Sequence, residues 1–535
     1  MSHVHRIPRF AALMLLAAVA LACSGCMPSP RARPTTFAWV VGKPEPAFDP
    51  QAPPDDVRWA LSRLLSHGLV DEDSSSRIVP AAAESILISD DRLTYTFRLR
   101  PRLTFVDGTP CGSEDFRAAL EAALTRGDHV TVAWLLGAVQ GVDRVRPGQR
   151  QRPAVGIETP DSRTLVMRLA RPDSLLLRKL ALPGVGVPWR AAGRDSGLRA
   201  GWTGNVGLGP YRVVREDVGR MLVLARARGM RAPAATSAPD SIMVRFVFSA
   251  ARVLALLRGG DADLVWPVPT GFSDFPLPVG CGEVSRRAAP QRRLLLVMRP
   301  DRPPTSKPEA REALAHALNH EELIQALGDS LPDPAWLGGA PPFDFPALNP
   351  EAVRTALSRG DFGRSLHVLM SYDADGPAAE VASMMQGQWA RLGLYIDLRP
   401  LRGEKLEAEL LEGGSHLLLV EGQPLFDDVT AELAALVMPS RGPGVGEFRT
   451  MWRTREFDAW LAHKPPARSA ARGLTATAGA LPESPATAQA QQLLAAGNVV
   501  LPVARLPWRW VERGGPLPVG FHPHFGPQCL PTGLR

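Results

Sequence analysis

Residues 90–100 read DDRLTYTFRLR, and residues 101–116 continue PRLTFVDGTPCGSEDF. Two readings compete for this stretch. The carboxylates could be catalytic, or the segment could be a strand–turn–strand–turn–helix module. Leu93, Tyr95, Phe97 and Leu99 alternate with Thr94, Thr96, Arg98 and Arg100. A period of two, rich in Thr, Tyr and Phe, predicts a half-buried strand. Asp90-Asp91 suits the turn before it, and Asp107-Gly108 the turn after it. Ser113 is placed to cap a helix whose first turn carries Glu114 and Asp115. Each polar residue therefore has a structural use, and the module needs no chemistry to explain it.

Working outward, the 535-residue chain is 45% hydrophobic, enough for a large core in more than one domain. Its 52 Pro and 48 Gly punctuate recurring helix and strand patterns without a collagen-like period. At the start, Arg6 and Arg9 precede an apolar run from Phe10 to Ala22. This is the pattern of an export signal over residues 1–22, too short to span a bilayer comfortably. The Pro-rich residues 23–36 read as a tether. Cleavage before Cys23 removes those two arginines and no acid, so the formal charge falls from +7 to +5. The remaining charge is dispersed. Its densest run, Arg144 to Arg152, has no interleaved aromatics, so no nucleic-acid partner is expected.

Several chemistries lack their signatures. Beyond the leader and the tether the cysteines are Cys111, Cys281 and Cys529, with no CxxC pair among them. GNVGLGP has neither a phosphate-loop ending nor a dinucleotide fingerprint, so Gly207, Gly209 and Pro210 read as a chain bend. His316 and His320 share one face of a predicted helix running through PEAREALAHALNHEELIQAL. Two histidines do not make a zinc site, and HPH at His522–His524 reads as a loop. No cofactor, metal or catalytic motif is identified.

The rest of the chain alternates strands and helices. Phe37–Val41 is a strand, and Val57–Val70 a helix. SIMVRFVFSAARVLALLRGGDADLVWPVP gives strand, helix, Gly-Gly turn and strand. Such β-α-β units indicate an α/β fold with parallel pairing. Trp266 ends the second of those strands, where open sheets tend to bind ligands. RRLLLVMRP, RSLHVLMSYD, SHLLLVEG and the C-terminal VVLPVARLPWRWVERGG supply further strands.

This order of elements resembles the family 5 extracellular solute-binding proteins, the peptide- and nickel-type receptors of bacterial ABC importers. Pro80, Ala81, Glu84, Ser85, Asp91, Leu93–Phe97, Phe105, Asp107–Pro110 and Asp115 match the family's signature segment, with Ile86 where a Trp is usual. FDP at Phe48, GLGPYRVV, ALLRGGDADLVWPVP, PEAREALAHALNHEELI and QGQWARLGLYIDL follow in the family's order. The resemblance implies a two-lobed, type II periplasmic-binding-protein-like α/β fold. Lobe I would take residues 37–70, 191–285 and 499–535, with an extra subdomain at 71–190, and lobe II residues 286–498. It implies a substrate-binding component of an ABC importer that takes a peptide or other small organic solute between its lobes. The partners would be that solute and an inner-membrane permease. A lipid on Cys23, or on Cys26, would hold the protein at the membrane on the periplasmic or extracytoplasmic face. A solute sensor or envelope-docking protein and an exported hydrolase are the alternatives.

The site residues carried over by the resemblance are Trp266, Phe426 and Trp452 as aromatic lining, and Glu421, Asp427 and Arg453 as polar contacts. In many peptide-binding members an Asp after the strand here written SHLLLVEG receives the peptide amine. Pro424 occupies that position, so ordinary peptides would lose a charge-assisted bond worth about 1.5–3 kcal/mol unless Asp427 or Asp428 replaces it. Either of those two would equally serve as a helix cap.

Overall fold

The computed structural model describes residues 35–49, 56–73, 77–125, 136–145, 155–173, 175–191, 199–227, 239–269, 272, 276–286, 292–327, 345–374, 376–402, 405–406, 409, 413–422, 496–506, 508–514, 520–522 and 526–528.

In chain order, the first half runs β1 (Thr36–Val41), α1 (Asp56–Leu65), β2 (Val70–Glu72), β3 (Ile78–Pro80), β4 (Ala83–Ile88), β5 (Thr94–Leu99), α2 (Ser113–Thr125), β6 (Ile157–Asp161), β7 (Thr164–Arg168) and α3 (Leu176–Leu180). It continues with β8 (Arg190–Ala191), β9 (Asn205–Val206), β10 (Tyr211–Asp217), β11 (Met221–Arg226), β12 (Ser241–Phe246), α4 (Ala250–Gly259), β13 (Leu264–Val265) and β14 (Cys281–Arg286). The second half runs β15 (Arg292–Met298), α5 (Pro308–His316), α6 (His320–Ala326), α7 (Pro350–Arg359), β16 (Leu366–Asp373), α8 (Ala378–Ala390), β17 (Leu394–Leu401), β18 (Leu417–Gly422), β19 (Val500–Leu506), β20 (Trp508–Arg513), β21 (Gly520–His522) and β22 (Gly526–Gln528).

Two large sheets organise these elements. One has seven strands in the order β10-β11-β12-β1-β13-β20-β14, with β1 parallel to both β12 and β13. The other has five, β17-β16-β18-β15-β19, with β16 parallel to β17 and β18. A separate four-stranded antiparallel sheet, β4-β5-β7-β6, forms the subdomain. Each part has its own apolar core. Leu120, Phe97 and Leu165 lie at the centre of the subdomain, and Trp389, Leu296 and Met370 in that of the five-stranded sheet. The seven-stranded sheet is covered on both faces.

The opening motif folds as its pattern requires. β5 buries Tyr95, Phe97 and Leu99 and turns Thr94, Thr96 and Arg98 outward. Asp91 accepts from the Leu93 N–H at 2.9 Å, and Asp107 from the Thr109 N–H at 3.0 Å. Both carboxylates are thus turn formers. Ser113 departs from its expected role. Its hydroxyl donates to the Asp161 carbonyl, and Asp115 instead reaches back to accept the Gly112 N–H at 2.8 Å.

Two helices are shorter than periodicity predicts. α1 stops at Leu65 because the Gly209 N–H takes the Leu65 carbonyl at 3.0 Å. Gly207 and Gly209 lie against Leu65 and Ser66 so closely that a Cβ at either would collide with that backbone. The glycines there permit contact, not ligand binding. The predicted helix through PEAREALAHALNHEELIQAL is two helices, α5 and α6. Asn319 interrupts it by capping α6, accepting from the Glu322 N–H, while the Asn319 N–H is taken by Gln388 at 2.8 Å.

The C-terminal strand pattern also divides. Val500–Leu506 pairs antiparallel with β15 in the five-stranded sheet, and Trp508–Arg513 lies in the seven-stranded sheet between β13 and β14. The expected lobe I segment 499–535 is therefore corrected at its start: the change of sheet comes after Leu506. An apolar strand satisfies either sheet, so alternation alone could not choose.

Candidate functional site

Strand direction places the two sheet edges that matter. β14 and β13 both run antiparallel to β20, so the C-terminal end of β14 (Arg286) lies at the same edge as those of β13 (Val265), β1 (Val41) and β12 (Phe246). β20 begins at that edge with Trp508. In the other sheet, β15 runs antiparallel to β18, so Arg292 and Arg293 lie at the edge where β16, β17 and β18 end. β19 ends there too, at Leu506. Both chain crossings, 286 to 292 and 506 to 508, thus join carboxyl edge to carboxyl edge. Ligands of open α/β sheets bind at such edges.

The edge of the five-stranded sheet is charged. Asp373 closes β16, and Glu421 sits one residue before the end of β18. Both carboxylates converge on Gly376, just ahead of α8. A Cβ there would collide with Glu421 Oε1 and stand 3.7 Å from Asp373 Oδ2. Leu294 is the register partner of Glu421, whereas Arg293 is opposite Gly422 and Arg505. Facing residues share a sheet face and successive ones alternate. The two arginines therefore occupy one face and Glu421 the other. Arg293 is 5% exposed. By the β16–β18 register Tyr372 shares the face of Glu421, so Asp373 alternates to the face of the arginines. An edge carrying both carboxylates and guanidinium groups can recognise a solute with both signs of charge.

Of the expected site residues, Glu421 takes a place on this edge. Asp373 was missed, although SYD and VEG share one signal: an acid closing an apolar strand. Phe426, Asp427, Trp452 and Arg453 lie outside the described residues, as do Pro424, Asp428, Cys23 and Cys26.

Trp266 is a packing residue. It is 2% exposed, and it extends the alternation of β13 so that Leu264 and Trp266 enter one core while Val265 enters the opposite one. Its ring stacks on Trp39 at a centroid distance of 6.1 Å, and Trp39 Nε1 donates to the Trp266 carbonyl at 2.7 Å. β13 lies between β1 and β20 in the sheet, and Trp266 packs in one core with Trp39 of β1 and Trp510 of β20. Gly42 lies beside it. Its N–H donates to the Pro267 carbonyl at 2.8 Å, and a Cβ there would collide with Pro269.

The two helical histidines do not share a face. His316 Nδ1 lies 3.0 Å from the Ala347 carbonyl. His320 Nε2 lies 2.6 Å from the Val503 carbonyl, with its ring stacked on Phe345. Burial lowers the pKa of His320. The neutral imidazole serves here as a tie between α6 and β19.

Known proteins match this architecture. A model of the bacterial extracellular solute-binding proteins, family 5 Middle, matches residues 77–441. The glutathione-binding protein GsiB of Escherichia coli K12 is 24% identical over 394 residues, which is 72% of this chain and 71% of GsiB. The E. coli murein tripeptide binding protein MppA superposes with a TM-score of 0.74 at 19% identity, covering 93% of this chain and 97% of MppA. OppA of Haemophilus influenzae, in complex with the peptide RPPGFSPFR, also gives 0.74, at 16% identity, covering 93% and 97%.

Proposed function

This chain belongs to the bacterial extracellular solute-binding proteins of family 5, and on that premise we propose that it captures a peptide or other small organic solute between its two sheets for delivery to an ABC permease. The observation that carries the reading is the pair of crossings joining the carboxyl edges of the two sheets. Two bodies joined by crossings at their carboxyl edges can swing as units, and solute favours the closed form through contacts made there. The relatives support a peptide-like class: one is named for glutathione, one for a murein tripeptide, and one was solved with a nonapeptide. Asp373, Glu421, Arg293 and Arg505 suit the charged ends of such molecules.

The working place we propose is the periplasmic or extracytoplasmic face, with acyl chains on Cys23 or Cys26 as the anchor. The leader pattern supports this, and two acyl signals give stable attachment where one does not. Mass spectrometry of the mature N-terminus, with Cys23→Ala and Cys26→Ala compared, tests it. A mature chain without lipid in all three would overturn the anchor.

The receptor reading is tested by native mass spectrometry of protein purified from its own envelope, with identification of what co-purifies. A peptide or amino-acid-like solute bound one to one is expected. Retention of free metal alone, or of nothing, would overturn the proposed class.

A further inference from the structure

We propose that Phe248 forms an apolar wall of the solute site, so that the solute carries an apolar or aromatic group as well as its charges. The inference rests on the receptor reading above and narrows its substrate class.

β12 sends Ile242, Val244 and Phe246 into the core. Beyond Phe246 the chain leaves the strand, and the Val247 N–H donates to the Val41 carbonyl at 2.8 Å. Ser249 then opens α4. Phe248 is fixed between these two anchors and is 67% exposed. It stands at the carboxyl edge of the seven-stranded sheet, the edge from which both crossings leave.

Two neighbouring loops are fastened to the same edge. The Phe246 N–H donates to the Arg220 carbonyl at 3.0 Å, which brings the β10–β11 turn alongside. The Gly219 N–H of that turn donates to Glu45, in the loop after β1. Val218, 80% exposed, sits in this turn. Three loops thus make one braced rim with Phe248 and Val218 upon it. Other exposed apolar side chains lie elsewhere: Val279 just before β14 and Tyr395 near the start of β17 are at amino edges, and Leu87 is on the subdomain. Scattered exposures of that kind are ordinary. A large aromatic held out on the carboxyl edge fits the common make-up of a solute site, an apolar wall with a few polar contacts.

The test compares wild type, Phe248→Ala, Phe248→Trp and the control Val279→Ala, each purified from its own envelope. Occupancy by the co-purifying solute is read by native mass spectrometry, and folding by thermal melting. Phe248→Ala should release that solute about tenfold faster with an unchanged melt, given the usual worth of an aromatic contact. Phe248→Trp and Val279→Ala should keep it. Wild-type occupancy in Phe248→Ala would overturn the inference while leaving the receptor reading intact. If that variant also lost uptake in cells, Phe248 would instead be assigned to contact with the permease. A wild type that carries no solute would bring down both readings.

Discussion

Trp39 and Trp266 are bound to each other twice, by stacked rings and by the Trp39 indole N–H on the Trp266 carbonyl at 2.7 Å. The pair joins β1 to the segment that follows β13, beneath the edge assigned to solute. Trp266→Ala should cost about 3–5 kcal/mol of stability, as for other large-to-small core changes. Trp39→Phe should cost about 1–2 kcal/mol, since it leaves a buried carbonyl without its donor. Urea unfolding measures both. A Trp266→Ala protein that melts like wild type yet loses solute would return Trp266 to the site.

Gly42 presses on the Pro267–Pro269 backbone with no space for a side chain. Gly42→Ala must push that segment outward. The expected result is a lower melting temperature together with weaker solute retention. Loss of stability with retention unchanged would separate this edge from the site.

His67 supplies a pH dependence. Burial holds its pKa below the usual 6.5, with Arg63 adding to that and Asp71, 3.8 Å away, opposing it. Arg63 also pairs with Asp71 at 2.5 Å and donates to the Glu72 carbonyl. The folded form therefore resists a proton that the unfolded chain accepts. Stability is complete above about pH 6.5 and falls as pH drops below it. Between pH 6.5 and 5.5 wild type should lose up to about 1 kcal/mol more than His67→Gln. Equal slopes in denaturant titrations at the two pH values would refute this.

Glu421→Gln and Asp373→Asn test the charged edge. If the carboxylates receive a cationic group, each change should weaken binding of the solute recovered from wild type by roughly tenfold or more, since a charge-assisted bond contributes about 1.5–3 kcal/mol. Calorimetry with that solute reads the effect. Unchanged affinity in both variants would confine the two acids to supporting α8.

Asn319 marks a break that periodicity did not show. Asn319→Ala should destabilise the protein by about 1 kcal/mol through loss of the α6 cap. Circular dichroism combined with urea unfolding checks it.

Much of the fold was readable because apolar spacing is local information. β5, β12, β16 and β18 are legible in alternation or continuous apolar runs, and their pairing follows from the resemblance to a known family. What was not legible depends on distant partners. α1 ends where Gly209 meets Leu65, more than a hundred residues away. Val500–Leu506 is apolar enough for either sheet, and only its pairing with β15 decides. Trp266 looked like lining because it ends a strand. The flanking strands whose tryptophans pack in its core are far off in sequence. Phe248 was hidden for a related reason: it continues the inward phase of β12, and only the departure of the chain into α4 turns it outward. Glu421 was legible in position, but its neighbour Asp373 comes from a different strand.

A single residue separates Leu506, the last of one sheet, from Trp508, the first of the other. The second link, from Arg286 to Arg292, has five residues between its ends. Tethers this brief leave few torsions in which the halves can turn, so on the receptor reading the jaws are confined to a narrow arc. Lengthening the first link by a few glycines would turn tongs into a flail: the halves would still fold, but grip would have to be found by search each time.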